Sequence, residues 1–144
     1  MATIKLENIN VSYDGKTNIL IDCGLNGKSI SDRLLKIDIS SESIAAILIT
    51  HEHTDHINGL PMIAKKSQMP IYATRGTIDA IRRMDKFKDI DPERFVQIRP
   101  DERITVKDMQ IDPMRISHDA AEPVGFSIYG DGQQISVCTD SGFI

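Results

Sequence analysis

Two cysteines, Cys23 and Cys138, are all that 144 residues contain, too few for a disulfide scaffold. Both sit in short apolar runs and read as small buried residues. No uncharged apolar stretch approaches 20 residues, which excludes a membrane-spanning helix. Residues 1–10 carry charges and no continuous apolar centre, unlike a secretory signal. The expected compartment is the cytoplasm. Internal repeats, low-complexity tracts and Pro- or Gly-rich linkers are missing, so composition marks no domain boundary. There is no excess of positive charge either: the net charge is −4 and the pI about 5.5. Attraction to phosphate backbones or anionic membranes therefore has to be local, or come through a bound metal.

What is present is enough apolar material for one core, 40% of residues. Residues 3–11 alternate imperfectly, and Tyr13-Asp14-Gly15-Lys16 suits a hairpin turn. Residues 18–23 (NILIDC) and 43–50 (SIAAILIT) read as buried strands. Helices are expected over 29–37, 58–68 and 74–88, the last with Ile78, Ile81 and Met84 at three-residue spacing. Further strands are expected at 69–73, 95–98, 109–116 and 124–129. Asp131-Gly132 turns the chain into 134–139. Strand, helix, strand, helix and a closing run of strands describe a layered α/β protein. The mixed charges of 75–103 read as a solvated face.

Of the four histidines, three fall within six residues, directly after a buried-strand candidate: Thr50-His51-Glu52-His53-Thr54-Asp55-His56. Imidazoles two residues apart on an extended segment project to one side and can share a cation. Asp55 and His56 follow where the chain turns toward a helix. Imidazole nitrogen suits borderline metals such as zinc, and carboxylate oxygen suits harder ions and can handle a proton. A polar loop would account for one such histidine as a cap or a solvated ring. A His-x-His-x-Asp-His string after a buried strand points instead to a metal.

His51, His53, Asp55 and His56 match the HxHxDH motif, and the chain resembles the metallo-β-lactamase-fold hydrolases. Ile21-Asp22-Cys23-Gly24 resembles that superfamily's first motif, SHDAAEP around His118 its third, and Thr139-Asp140-Ser141-Gly142 its fourth. THEHTDHINGL, SHDAAEP and CTDSG are especially similar to the YycJ/VicX/WalJ branch, which is regarded as phosphodiesterase- or exonuclease-like. That branch usually opens with a Gly/Ser-rich SGSSGN loop, which residues 5–12 (KLENINVS) do not resemble.

The resemblance implies an α/β fold, the metallo-β-lactamase-like αββα sandwich. Residues 1–144 would form a single domain spanning one half to two thirds of it, C-terminally truncated, with a further metal-ligating histidine in the remainder. It implies two Zn²⁺ sites, with Mn²⁺ or Fe as alternatives. His51, His53 and His118 would hold the first metal, Asp55 and His56 the second, and Asp140 would bridge them. Asp55, His118 and Asp140 are the catalytic candidates. Asp22 would lie beside the ligands, although an acidic residue before Gly is also ordinary turn chemistry. Asp119 and Glu122 neighbour His118 with carboxylates that read as solvated.

The implied activity is hydrolysis of nucleic acid or a small phosphodiester by a metal-activated water. The alternatives are a glyoxalase- or lactonase-like hydrolase, or a metal-binding fragment with little catalysis. No membrane partner is expected. A sheet face left exposed by a partial sandwich would favour a homodimer.

Overall fold

The computed structural model describes residues 3–4, 9–13, 17–22, 44–66, 68–107, 109–116, 120–130 and 132–137. The helix expected over 29–37 and both cysteines lie outside them. Two sheets carry the fold. The first has six strands in the order β1-β2-β3-β4-β5-β6: Thr3–Ile4, Ile9–Tyr13, Thr17–Ile21, Ile44–Leu48, Ile71–Thr74 and Phe95–Ile98. The second has four in the order β10-β9-β8-β7: β7 Ile104–Val106, β8 Met109–Arg115, β9 Val124–Gly130 and β10 Gln133–Val137.

Strands β1 to β3 run antiparallel, whereas β3 to β6 are mutually parallel. The parallel strands require crossovers. Between β4 and β5 these are α1 (Thr54–Ile57) and α2 (Leu60–Lys66), and between β5 and β6 α3 (Arg75–Arg82).

Alternation along β3 and β4 separates two cores. Leu20, Ile47 and Ile49 pack with Ile57, Leu60, Ile63 and Ile81 between sheet and helices. Ile19, Ile21, Ala46 and Leu48 pack with Ile111, Phe126 and Ile128 between the sheets. Both faces of these strands are dry, which is why 43–50 reads as a nearly unbroken apolar run. The described layers are therefore helix, sheet and sheet. Among the described residues no helix is long and apolar enough to cross a membrane.

Several local expectations are refined. The stretch 3–11 divides into β1 and β2, paired antiparallel with Ile4 opposite Val11. The helix expected over 74–88 stops at Arg82. Met84 is extended, and a 3-10 turn at Asp85–Phe87 folds Phe87 into the helix-side core at 2% exposure. Ending the α-helix there lets Phe87 bury its ring in the helix-side core. Strand β7 was not expected: three residues with one buried side chain carry no readable period. Pro113 sits inside β8 but beyond the β7 ladder, which ends at Ile104 opposite Ile111. Gly132, at φ 74°, supplies the left-handed turn into β10.

The charged face of 75–103 is mostly solvated, with one exception. The Arg94 guanidinium turns inward: Nη1 donates to the Ala64 carbonyl at 2.8 Å, and Nε and Nη2 to the Met69 carbonyl at 3.1 and 2.9 Å. It closes the end of α2 and fixes the approach to β5.

The outward face of the second sheet is largely polar. Arg103 donates to both carboxylate oxygens of Asp112, at 2.7 and 2.8 Å, and lies 4.9 Å from the Tyr129 ring centroid. The outward positions of β8 and β9 include Gln110, Asp112, Ser127 and Tyr129.

Two measurements follow. Arg94→Ala should lower unfolding free energy by about 2 kcal/mol in denaturant titrations, since it orphans carbonyls bound by a charged donor. Arg94→Lys should recover less than half, because a single ammonium cannot bridge both carbonyls. The Arg103 hydrogen bond holds the Asp112 carboxyl below its ordinary value. A depressed folded-state pKa contributes stability above the unfolded value and loses it as pH falls. Asp112→Asn should thus lower Tm at pH 7, and the difference from the parent should vanish below the ordinary carboxylate range.

Candidate metal centre

Parallel strands present their C-terminal ends on one edge of the sheet, where α/β folds collect their ligands. Strand β3 ends at Ile21 and β4 at Leu48. The Asp22 amide donates to the Leu48 carbonyl at 2.8 Å, which brings the two ends together. Asp22 takes a left-handed backbone, φ 61°, and is 6% exposed. Aspartate tolerates this region better than most side chains. The conformation is not the simple solvated turn that an Asp before Gly suggests.

The Asp22 carboxylate accepts three hydrogen bonds. Oδ1 receives the Thr50 amide at 2.8 Å, and Oδ2 receives Thr50 Oγ1 and His56 Nδ1, each at 2.7 Å. Thr50 Oγ1 also contacts His51 Nδ1 at 2.9 Å. The hydroxyl has one proton, already given to a carboxylate that can only accept. The contact with His51 therefore requires the ring Nδ1–H as donor. His56 likewise donates Nδ1–H to Asp22. In their neutral forms both rings therefore carry the proton on Nδ1, which places the lone pair on Nε2.

The imidazoles gather as the sequence spacing implied. His51 is fully buried, its ring centroid 4.7 Å from that of His53 in an edge-on arrangement and 4.1 Å from that of His56. Residues 51–53 are irregular, and α1 begins at Thr54. The His56 amide donates to the His53 carbonyl at 2.8 Å, folding His56 back over the string.

The Asp55 side chain, His118 and Asp140 lie outside the described residues, as does Asp119. Among the described residues no group of three His, Cys, Asp or Glu side chains is set to hold a metal. The donor set nevertheless fits one. Imidazoles clustered at a strand end, with one ring held through Nδ1 by a buried carboxylate, have the outer partner that metal-ligating histidines ordinarily use.

Three other residues take part in ways the motifs do not show. Thr50 links Asp22 to His51. Glu52 Oε2 accepts the Ala121 amide at 3.0 Å. Glu122, read as solvated, is instead tied down: its Oε1 accepts the Gly76 amide at 2.9 Å and its carbonyl accepts Thr74 Oγ1 at 2.8 Å. The first-turn amides of α3 have no partners within the helix: Thr74 Oγ1 accepts that of Thr77 and the Glu122 carboxylate that of Gly76, so the carboxylate is held there rather than left in water. Its only sequence signal was proximity to His118.

Asp22→Asn tests the tautomer assignment directly. With its one oxygen kept on the Thr50 amide, the Asn NH2 faces His56 Nδ1, which then has to accept. Imidazole ¹⁵N shifts of the metal-free protein should show His56 switching from the Nδ1–H to the Nε2–H form. Unfolding free energy should fall by about 1–2 kcal/mol. A His56 ring that keeps its tautomer would contradict the assignment.

A model of the beta-lactamase superfamily domain matches residues 17–144. The chain is 31% identical over 137 residues to exodeoxyribonuclease YycJ of Bacillus anthracis, covering 94% of this chain and 51% of that protein. Against exodeoxyribonuclease WalJ of Streptococcus pneumoniae it is 33% identical over 129 residues, covering 90% and 48%. It thus spans about half the length of these relatives. Zn²⁺-bound PqqB from Methylobacterium extorquens shares the fold at a TM-score of 0.75 and 19% identity, over 90% of this chain and 50% of that one. Motifs, layered sheets and family match agree: the chain belongs to the beta-lactamase superfamily, with the metallo-β-lactamase fold and its likeness to the YycJ/WalJ branch.

Proposed function

We propose that this chain contributes the metal-binding half of a hydrolase acting on phosphodiesters, with nucleic acid as the substrate class. The carrying observation is the imidazole cluster at the ends of β3 and β4, oriented through Asp22 and Thr50. The similarity to two exodeoxyribonucleases supports the choice of phosphodiester over lactone or thioester. His51, His53 and His118 would hold one cation, Asp55 and His56 a second, and Asp140 both. The expected ion is zinc, with manganese or iron as alternatives. Bound there, the ions would supply Lewis acidity toward a phosphoryl oxygen and a water acidified for attack.

The chain's own residues do the rest. Asp22 and Thr50 hold the protons of His56 and His51 on Nδ1 and so keep Nε2 basic. Asp55 offers a carboxylate oxygen that can take a proton at the reacting centre. The net charge of −4 gives DNA no general attraction, so the scissile phosphate has to be held locally. A single domain, a cytoplasmic setting and a homodimer complete the reading. With a polar outer sheet face, pairing would need polar complementarity, and sedimentation at micromolar concentration tests it.

The purified chain should carry zinc by elemental analysis, or take it up at neutral pH. His53→Ala should cost more affinity than the roughly 10–100-fold typical of a ligand's outer partners. Activity should be weak and metal-dependent on a bis-nitrophenyl phosphodiester, and lost in His118→Ala and Asp140→Ala. No metal uptake at all would overturn the reading. Full activity and metal content in Asp140→Ala would remove the bridging role.

A further inference from the structure

Residues 117–123 connect β8 to β9 and contain His118, while the histidine string follows β4 in the other sheet. What holds these two segments together is visible at residues 120–124. The Val124 amide donates to the Thr50 carbonyl at 3.0 Å, and the Ile116 amide to the Pro123 carbonyl at 3.5 Å, closing the base of the loop. Further out, the Ala121 amide donates to Glu52 Oε2, and Glu122 is seated on the first turn of α3.

Glu52 lies between His51 and His53. The His51 and His53 rings meet at 4.7 Å, while the side chain between them reaches away to the Ala121 amide. Its Oε1 is closed off from solvent, with no hydrogen-bond partner among the described residues. Taking a carboxylate oxygen out of water costs free energy, so this is not a side chain resting where solvent would leave it. Glu52 is committed to the loop.

We propose that Glu52 is a positioning residue for His118. Its carboxylate anchors the loop at Ala121, three residues after His118, to the strand end that carries His51 and His53. One residue string thus supplies two imidazoles and, through Glu52, an anchor for the loop whose sequence contains a third. Glu122 completes the brace by fixing the next residue to α3. Gly76 has to be glycine for this: a Cβ there would stand 2.8 Å from Glu122 Cβ. This inference rests on the reading of His118 as a metal ligand.

The test uses the 144-residue chain and zinc alone. In metal-free protein, the Ala121 amide should be protected from hydrogen exchange in the parent and in Glu52→Gln, whose amide oxygen still accepts. It should be unprotected in Glu52→Ala. Zinc affinity, measured by competition with a chromophoric chelator, should fall about 10–100-fold in Glu52→Ala and be largely restored in Glu52→Gln. In a His118→Ala background, Glu52→Ala should cost almost nothing further, because its effect passes through that histidine. Gly76→Ala, which displaces Glu122 without touching the histidine string, should weaken zinc with the same dependence on His118.

Parent-like affinity in Glu52→Ala would overturn the proposal. So would an equal loss with and without His118, which would place the effect on His51 and His53. A Glu52→Gln variant as poor as Glu52→Ala would show that charge, not the accepted hydrogen bond, matters. If the parent itself binds no zinc, the metal reading fails, and the exchange pattern at Ala121 still decides whether Glu52 braces the loop. Should Glu52→Ala fail to fold, Gly76→Ala and Glu52→Gln decide the proposal between them.

Discussion

A buried carboxylate organises this molecule's candidate site. Asp22 stands where β3 ends, in a left-handed conformation that costs on the order of 1–2 kcal/mol. Its desolvation adds to that cost. Three donors offset it, and each hydrogen bond to a charged group contributes about 1.5–3 kcal/mol. Asp22 therefore ties the end of β3 to Thr50 and His56, and through the Thr50 hydroxyl to His51. Removing a single donor would leave the carboxylate with both penalties and less compensation. Those bonds, and not closeness in sequence alone, connect the histidines to the end of β3.

Legibility followed interaction range. The strand candidates at 18–23 and 43–50 were readable because two dry faces leave an unbroken apolar run. The histidine string was readable because its members are two and three residues apart, a spacing that backbone geometry alone converts into proximity. Gly132 announced its turn because little else adopts a positive φ cheaply. By contrast, Thr50 and Asp22 are 28 residues apart, His56 and Asp22 34, Gly76 and Glu122 46, and Ala121 and Glu52 69. No local pattern encodes such pairings. Asp22 was noticed by motif, Glu122 only as a neighbour of His118, and Glu52 and Thr50 not at all. The early stop of the helix at Arg82 belongs with these, since it depends on a core that Phe87 reaches only in the folded chain.

The two sheets have different duties at the site. The first is parallel where it matters and presents strand ends; it sets the histidine string on a platform with dry cores on both sides. The second is antiparallel and brings in the loop at 117–123. Among the described residues they are joined at the site edge by the Val124–Thr50 backbone bond, the Ala121–Glu52 bond and the bonds of Glu122 to Thr74 and Gly76. Beneath lies the inter-sheet core of Ile19, Ile21, Leu48, Phe126 and Ile128, which resists sliding because its side chains are close-packed.

That arrangement links ligand binding to the joining of the sheets. A cation held by His51 and His53 from one segment and His118 from the other would bridge the β4 end and the β8–β9 loop. Any species that binds only the joined form stabilises it by mass action, about 2.7 kcal/mol at a hundred times its Kd. Such a term is a large fraction of ordinary domain stability. Conversely, every contact that already holds the loop in place reduces the ordering that binding has to supply, and so raises affinity. Glu52, Glu122 and Thr50 contribute in this second way. They order the two segments before any ligand arrives, and their placement next to the histidines, rather than deeper in the core, is where such ordering has the most effect.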